Sequence, residues 1–349
     1  MPQVIALGDI NLDIVAHIAR YPQPGGDGLA RQSYLRAGGS AANTALTLVR
    51  CGIETAIIGR VGADALGTQL LADLQAGGVD VSLVQRDPDA TTGTMFIVIT
   101  PDGERTMFGF RGANVRTDPA GIPVTGFGHA RHFHLSGYAL LESPQREAAL
   151  RALELAQEAG LSASLDAGLE VLMQQADLVC ALLPRMDLFF PNLDEAELLA
   201  DTRDPEAAAV RLREQGVKVV ALKLGVRGCL VATADGVFTV PPFGVEVCDT
   251  TGAGDAFDAG VICGRLHGLS WRTAALLGNA LGALAVASGD DRKEAIAREN
   301  VVTFLHQQRD LPSWSGWQRD FDAVLSTVGR MPIRPTATTL EAKHDGGMA

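Results

Sequence analysis

The chain has 349 residues, a formal charge of -12 at pH 7, a hydrophobic content of 47% and only 5% aromatic residues. This length allows one large α/β domain or two smaller ones, and an apolar content of Ala, Leu, Val and Gly is typical of helices packed closely on a parallel sheet. An acidic chain without a block of Lys and Arg argues against nucleic acid as a partner. Five scattered cysteines without a CxxC pair favour neither a zinc site nor a disulfide framework.

Two apolar segments bear on export and membrane insertion. Asp9 and Asp13 interrupt the apolar run over residues 4–15, so this segment does not read as a signal peptide. The stretch around residues 276–287 has the length of a helix but is short for a membrane span. We therefore expect a cytoplasmic protein without a membrane partner.

Short apolar strands alternate with helical patterns along the chain. The strands are predicted over residues 4–7, 55–59, 132–135, 162–165, 188–190, 219–222 and 229–233. The helices are predicted over residues 40–51, 65–76, 144–159 and 194–200. This alternation predicts a mostly parallel sheet with helices on both faces, in a single domain over residues 1–329. Residues 330–349, rich in Pro, Thr and Gly, are predicted to form a disordered tail.

A second group of strands does not fit this alternation. Residues 30–35 and 94–100 have the pattern of strands with one wet face, and residues 105–110 return after a hairpin turn signal at residues 100–104. These segments predict a small β-lid, from about residues 13–37 and 91–112, that stands off the main sheet.

The run Asp-Thr-Thr-Gly-Ala-Gly-Asp at residues 249–255 is the most informative motif. Gly252, Ala253 and Gly254 lead into a helical pattern, so their backbone N–H groups and the helix dipole favour a bound phosphate. Asp255 would stand in the first turn, where a carboxylate suits the removal of a proton from an attacking hydroxyl. The alternative is a Gly-rich helix start with an Asp cap.

Residues at predicted strand ends and helix starts form a set of ligand-binding candidates. Asn11 and Asp13 lie two apart on an extended segment and would face one ligand, or else cap the strand end. Residues 38–43, which include Gly39 and Asn43, lack side-chain bulk and would admit a ligand, or else pack closely on the sheet. Glu142 precedes a predicted helix start with Ser143 as cap and Pro144 at the first position, so it could complement the helix dipole or contact a ligand.

Two further motifs follow in the second half of the chain. Asn192 and Glu195 have the spacing of a capping box, and they could also organise a hydrated Mg²⁺ near phosphates. Lys223, Gly225 and Gly228 lie in a tight turn between two predicted strands. A nucleotide could lie over this turn, although a plain hairpin explains the same pattern.

These motifs, taken in order, resemble those of the ribokinase/PfkB-like carbohydrate kinase family over about residues 4–305. The runs at 38–43 and 249–255 are similar to the two signature patterns of the family. The resemblance implies a ribokinase-like three-layer α/β/α fold with a mostly parallel central sheet and a β-strand lid. It also implies ATP-dependent phosphorylation of a sugar hydroxyl, with Mg²⁺, and a homodimer formed through the lid.

The resemblance also implies a role for each motif residue. Asp255 would be the catalytic base, beside an anion hole of Gly252, Ala253 and Gly254. The sugar would be held by Asn11, Asp13, Gly39, Asn43 and Glu142. The nucleotide and its Mg²⁺ would be bound by Asn192, Glu195, Lys223, Gly225, Gly228 and Asn279. A monovalent cation such as K⁺ would lie at Asp249, the carbonyl of Thr251 and the loop at Ser288.

The sequence motifs leave the choice of substrate open. Arg111, in the predicted lid, could recognise a carboxylate or phosphate on the substrate, or be an exposed strand residue. Residues 166–170 read Asp-Ala-Gly-Leu-Glu, where several fructokinase and ketodeoxygluconate kinase relatives have Asp-Pro-Asn and a nearby Arg, which weakens those two assignments. A nucleoside kinase is the alternative enzyme. A sugar or nucleotide sensor would require a damaged site, and the motif around Asp255 is intact.

Overall fold

A computed structural model of the chain describes residues 1–101, 105–288 and 295–331. The strands are β1 Val4–Leu7, β2 Asn11–Ile18, β3 Ala30–Gly38, β4 Thr55–Gly62, β5 Val84–Asp87, β6 Gly93–Ile99, β7 Arg105–Phe110, β8 His132–Ser136, β9 Ser162–Asp166, β10 Leu188–Phe189, β11 Val219–Lys223, β12 Cys229–Thr233 and β13 Gly236–Val240. The α-helices are α1 Ser40–Arg50, α2 Ala65–Ala76, α3 Gln145–Glu158, α4 Leu169–Leu182, α5 Leu193–Ala200, α6 Pro205–Glu214, α7 Ala253–Leu266, α8 Trp271–Ala287, α9 Arg298–Arg309 and α10 Gln318–Gly329.

The main sheet has nine strands in the order β13-β12-β11-β10-β9-β8-β1-β4-β5. The seven strands from β11 to β5 pair in parallel, and only β12 runs against them. Along β1, Ile5 and Leu7 join a core cluster under α3 and α4, whereas Val4 joins the cluster under α7 and α8. Side chains that alternate between two buried faces explain why β1 is entirely apolar. The predicted three-layer α/β/α arrangement is therefore confirmed.

The lid is a separate four-stranded sheet in the order β3-β2-β6-β7. Strand β2 pairs antiparallel with β3 and parallel with β6, and β6 pairs antiparallel with β7. Only Gly8, Asp9 and Ile10 separate β2 from β1, so the lid continues directly from an interior strand of the main sheet.

The structure differs from the sequence prediction at several places. Strands β5 and β13 and helices α4, α6, α9 and α10 were not predicted, and helix α3 begins at Gln145. Ser143 does not cap it: the residue before the helix is Pro144, and the Ser143 hydroxyl donates to Glu147 at 2.7 Å. Glu142 therefore lies outside the first turn of the helix. The side chain that it contacts belongs to another segment of the chain.

Parts of two predicted segments lie outside the described residues, namely the lid turn at 102–104 and most of the tail. Of the predicted tail, Arg330 and Met331 are described. Met331 is buried, and its carbonyl accepts a hydrogen bond of 2.8 Å from Arg298. The packed part of the chain thus extends at least to Met331. Within residues 1–101, 105–288 and 295–331, every helix lacks the combination of length and hydropathy needed to cross a bilayer.

Strand β8 carries a histidine that is fully buried in the core. His134 Nδ1 lies 2.9 Å from the Ser164 hydroxyl, and burial lowers the pKa of His134 to about 4 from 6.5. The unfolded chain therefore binds a proton between pH 6.5 and 4 that the folded chain excludes. The free energy of unfolding then decreases as the pH falls through this range.

We predict that this one histidine makes the protein about 2 kcal/mol less stable at pH 5 than at pH 7. Urea unfolding at both pH values would measure it. In His134→Gln, which cannot take up the proton, the difference between the two pH values should shrink by that amount. Exposed His129→Gln should leave the difference unchanged, and an equal loss in both variants would contradict the assignment.

Candidate active site

The carboxyl ends of the parallel strands and the N-termini of α1, α5 and α7 lie at one edge of the sheet. Asp9 follows β1, Asp166 ends β9, Asn192 follows β10 and Lys223 ends β11. Asn192 and Lys223 form an isolated parallel bridge, so they are direct neighbours. Because open α/β sheets bind ligands at this edge, we take it as the candidate active site.

Helix α7 presents its N-terminus to this edge. Gly252 caps the helix with φ 69°, a left-handed conformation that suits glycine, and Ala253 and Gly254 open the first turn. The Ala253 amide donates to the carbonyl of Thr250 at 3.3 Å, so the other amides of this turn and the helix dipole make this end positive. A helix end of this kind can hold an anion.

Asp255 lies in the same first turn and is 9% exposed. Its two carboxylate oxygens accept hydrogen bonds from the side chains of Ser40 and Asn43, each at 2.8 Å. Burial raises the pKa of Asp255, as does the nearby negative charge of Asp166, while the two hydrogen bonds oppose the shift. A carboxylate with a raised pKa accepts a proton more readily. Asn43, predicted to hold the sugar, contacts the predicted base in this structure.

The glycines before α1 allow close approach between chain segments. A Cβ atom on Gly38 would overlap the carboxylate of Asp13. Gly39 has φ 97°, and a Cβ atom there would overlap the carbonyl of Asp9. Close packing, the alternative reading of this run, is therefore part of its role. The space that a side chain would need at Gly38 is taken by the Asp13 carboxylate itself.

The predicted pair Asn11 and Asp13 lies on β2, with both residues buried. Asn11 Oδ1 accepts a hydrogen bond of 2.8 Å from Asn114, which fixes the orientation of the Asn11 amide. Arg36, the cross-strand partner of Asp13, places its guanidinium 3.4 Å from Asp13 and 3.3 Å from Asp249. One arginine therefore links the lid to the motif loop before α7.

The guanidinium of Arg111 donates its hydrogen bonds to other residues of the protein. Arg111 donates two hydrogen bonds of 2.9 Å to Asp9 and one of 3.1 Å to Glu142, and it also contacts Gln145 and the Tyr138 carbonyl. With only 17% of its side chain exposed, it is not an exposed strand residue. Burial by itself would lower the pKa of Arg111, but Asp9 and Glu142 outweigh it and raise the pKa. Glu142 is thus oriented by Arg111.

A cavity of about 430 Å³ opens on the other side of the α7 N-terminus. Its lining includes four residues predicted to bind nucleotide and two of the predicted anion hole, namely Lys223, Gly225, Gly228, Asn279, Ala253 and Gly254. The remaining walls are largely apolar, with Phe243, Val245 and Phe257 among them. Asn279 donates hydrogen bonds of 3.2 and 2.9 Å to the carbonyls of Val240 and Pro241, so its amide holds the cavity wall in place.

Asn192 and Glu195 form the predicted capping box. The Glu195 amide donates to Asn192 at 2.9 Å, and the carboxylate of Glu195 accepts from the backbone and side chain of Asn192 at 2.9 and 2.8 Å. Burial and the charge of Asp166 raise the pKa of Glu195 to about 7. Across the described parts of the chain there is no group of three His, Cys, Asp or Glu that could hold a metal ion directly. Carboxylate and amide oxygens such as those of Glu195 and Asn192 are groups that suit Mg²⁺ or the waters it carries.

The predicted monovalent-cation residues belong to two neighbouring loops. Thr251 donates to Asp249 through its amide at 2.8 Å and its hydroxyl at 2.7 Å. The amide of Asp249 donates to the carbonyl of Val286, near the end of α8, where Ser288 donates to the carbonyl of Ala285. Gly289, the other residue of the predicted loop, lies outside the described residues.

Several polar residues at this edge were not selected from the sequence. They are Asp9, Arg36, Ser40, Asn114, Asp166 and Asp258. Ser40 lies in the glycine-rich run at residues 38–43 and Asp166 directly follows a predicted strand, so their positions carried a signal. The remaining contacts depend on the pairing of segments distant in sequence, which no local pattern specifies.

A parallel sheet that directs a buried carboxylate, an anion-binding helix N-terminus and a nucleotide-sized cavity to one edge defines a phosphotransferase. The model of the pfkB family carbohydrate kinases matches residues 1–296, and the chain belongs to this family. The chain is similar to the ATP-dependent ribose-1-phosphate kinase of Halopiger xanaduensis, with 31% identity over 310 residues, covering 89% of this chain and 100% of that protein.

Two other proteins extend this comparison. The 2-dehydro-3-deoxygluconokinase of Bacillus subtilis is 33% identical over 288 residues, which cover 80% of this chain and 89% of that one. The crystal structure of a putative ribokinase II from E. coli, in complex with ATP and Mg²⁺, matches with a TM-score of 0.78 at 27% identity, covering 88% of this chain and 100% of that one. These matches confirm the predicted ribokinase-like fold.

The contacts of Arg111 predict that its main effect is on stability. Arg111→Met would remove the cation beside Asp9. The buried carboxylate would keep the hydrogen bond from the Gln145 amide but no neighbouring positive charge from Arg111. We expect a loss of about 3 kcal/mol in the free energy of unfolding, measured with urea. Arg203→Met, which breaks the exposed ion pairs with Asp194 and Glu197, should leave the free energy of unfolding nearly unchanged. An Arg111→Met variant as stable as the wild type would contradict the structural role of this arginine.

Proposed function

We propose that this chain is an ATP-dependent kinase that transfers the γ-phosphoryl group to a hydroxyl of a small sugar or sugar-like substrate. The observation that carries the proposal is the position of Asp255, buried in the first turn of α7 between the polar strand ends and the 430 Å³ cavity. This position lies beside the backbone amides that would face the transferred group. Use of ATP as donor would place the activity in the cytoplasm.

Asp255 would act as the base. Its carboxylate would take the proton of the attacking hydroxyl as the oxygen–phosphorus bond forms. The first-turn amides of Gly252, Ala253 and Gly254 would stabilise the negative charge on the phosphoryl oxygens. Ser40 and Asn43 would hold the carboxylate in place until the hydroxyl arrives.

The sugar would lie against β2 and the glycine run. The carboxylate of Asp13 and the amide of Asn11 offer acceptors to sugar hydroxyls, and Gly39 would lie beside the bound sugar. Asn43 and Glu142 would complete the sugar site. Arg111 would act through its contact with Glu142 at 3.1 Å, since its guanidinium is already bound to Asp9.

The nucleotide would occupy the cavity between the β11–β12 turn and α8. Gly225, Gly228 and Asn279 would line it, and Lys223 would lie at its inner end. Asn192 and Glu195 would hold the waters of Mg²⁺, which neutralises phosphate charge when bound. ATP and Mg²⁺ in the similar putative ribokinase II support this pair. K⁺ would bind near Asp249, Thr251 and Ser288.

The lid favours a sugar over a nucleoside. Phe96 and Phe108 are cross-strand partners, and Phe96 also pairs with Ile14 of β2. Since neighbouring residues of a strand point to opposite faces, these rings lie on the face opposite to Asp13. They are therefore placed away from a substrate that Asp13 would bind, where they could not stack on a base.

A substrate panel tests the proposal directly. ADP release from Mg-ATP would be measured with pentoses, hexoses, sugar acids, sugar phosphates and nucleosides, each with and without K⁺. The names of the relatives make ribose 1-phosphate and 2-dehydro-3-deoxygluconate the first compounds to include. Turnover with sugars supports the proposal, and turnover with nucleosides alone supports the alternative. Equal rates without K⁺ would contradict the monovalent-cation site.

Asp255→Asn tests the base. The amide keeps the shape of the carboxylate but cannot take the proton, so kcat should fall by about 10²- to 10⁴-fold. The affinity for Mg-ATP, measured by calorimetry, should change less than about twofold because the cavity is intact. Asp235→Asn, in an exposed turn, is the matched control and should keep the wild-type rate. Near-normal turnover of Asp255→Asn would refute the role.

We also propose that two copies of the chain form a dimer through the lids. Leu35, Ile14, Phe96 and Phe108 form one row across the four lid strands, and three of them are exposed. Exposed apolar side chains that lie together are typical of protein interfaces. A second lid offers the same apolar surface.

Phe108→Asp should convert this dimer to a monomer, because a carboxylate would be buried at the interface without a partner. Light scattering after gel filtration would measure the mass. Val124→Asp introduces the same charge at an exposed residue outside the lid and should leave the mass unchanged. A wild-type monomer, or a Phe108→Asp dimer, would refute the arrangement.

A further inference from the structure

A buried charge cluster lies directly behind the anion cradle. The ammonium group of Lys223 is 2.8 Å from Asp166 and 3.4 Å from Asp258. The side chains of Lys223, Asp166 and Asp258 are 16%, 14% and 0% exposed. Asp258 lies on α7 about one turn after Asp255, so the cluster and the proposed base share one helix.

The Lys223 ammonium is in contact with the cradle. A Cβ atom on Gly254 would lie 3.3 Å from Lys223 Nζ, so the ammonium packs against this glycine. Both residues also line the cavity. An anion that binds the amides of the first turn would therefore come within reach of Lys223.

Asp258 has no evident role in packing the core. It is fully buried among apolar residues of α7, and within the described residues its Oδ2 atom has no hydrogen-bond partner. A buried carboxylate in this state destabilises a protein, and an apolar residue there would often be better tolerated. Burial raises the pKa of Asp258 well above its usual range, and the charge of Lys223 opposes this shift.

We propose that Lys223 is a further catalytic residue that binds the transferring phosphoryl group, and that Asp166 and Asp258 are positioning residues that hold its ammonium at the cradle. This inference rests on the proposed kinase function. An ammonium has three N–H donors. Two are directed to Asp166 and Asp258, and the third is available for a phosphoryl oxygen.

The charge of Lys223 persists in the buried site. Burial by itself would lower the pKa of Lys223, but the charges of Asp166, Asp258 and Glu195 outweigh it and raise the pKa. A fixed cation that needs no rearrangement stabilises the charge on the phosphoryl group more effectively than a mobile one. The two carboxylates thus retain a charged lysine in one position.

Nucleotide binding tests the assignment without knowledge of the sugar. Calorimetry with Mg-ADP and Mg-AMP-PNP gives the ratio of the two dissociation constants, which reports contacts with the γ-phosphoryl group. The test variant is Lys223→Met combined with Asp258→Leu, so that the fully buried carboxylate of Asp258 is not left without its cation, while the partly exposed Asp166 is kept. The ratio should shift by at least about tenfold toward ADP, while the affinity for ADP changes less than about twofold.

Asp258→Leu alone tests positioning. Lys223 remains charged but loses one anchor, so the ratio should shift by about threefold or more, and kcat should fall with the KM for the sugar unchanged. Asp258→Asn keeps an oxygen acceptor for Lys223 and should restore most of the rate. Lys218→Met, which breaks an exposed ion pair with Asp187 before β11, is the matched control and should leave the ratio unchanged.

The outcomes separate this inference from the proposed function. An unchanged ratio in the double variant, with both nucleotides still bound, would assign the cluster to structure alone and overturn the inference. A wild-type protein that binds neither nucleotide would overturn the proposed function and this inference together. A folded double variant, checked by circular dichroism, with the expected shift supports both.

Discussion

The hydrogen bonds that Ser40 and Asn43 donate to Asp255 are the interaction on which the rest of the site depends. They join the first turns of α1 and α7, although Asn43 and Asp255 are 212 residues apart in the sequence. Without them a buried carboxylate would lose its partners, which is costly. Because α1 follows the lid and α7 borders the cavity, this junction also sets the distance between the two halves of the site.

Three cations at this edge each lie against one or two acidic residues. Arg111 binds Asp9, Arg36 lies between Asp13 and Asp249, and Lys223 lies between Asp166 and Asp258. Local pairing of this kind explains how a chain with a formal charge of -12 can offer positive potential to an anion. Helix α7 adds its dipole at the same point.

Much of the fold could be predicted because the buried strands are short apolar runs bounded by Gly, Asp or Asn. Strands β1, β7 and β12 were predicted to the residue, and the motif at 249–255 placed Asp255 correctly in a first turn. Helix α6 was missed although Asp204 caps it and Pro205 opens it, because its four Ala and Val residues form no clear apolar stripe.

The side-chain partners could not be predicted in the same way. Arg36 meets Asp13 only through the register of β2 and β3, and Arg111 meets Asp9 across 102 residues. Asp258 reads as a polar residue within an apolar helix, with no local sign that Lys223 lies opposite. Such contacts are properties of the assembled sheet edge, where segments from the whole chain converge.

The connection between the lid and α1 has a mechanical consequence. Strand β3 ends at Gly38 and α1 begins at Ser40, so Gly39 alone separates them. A displacement of β3 would therefore be passed through one closely packed residue to the first turn of α1, which donates the hydrogen bonds to Asp255. The position of the lid and the position of the proposed base are therefore coupled through Gly39.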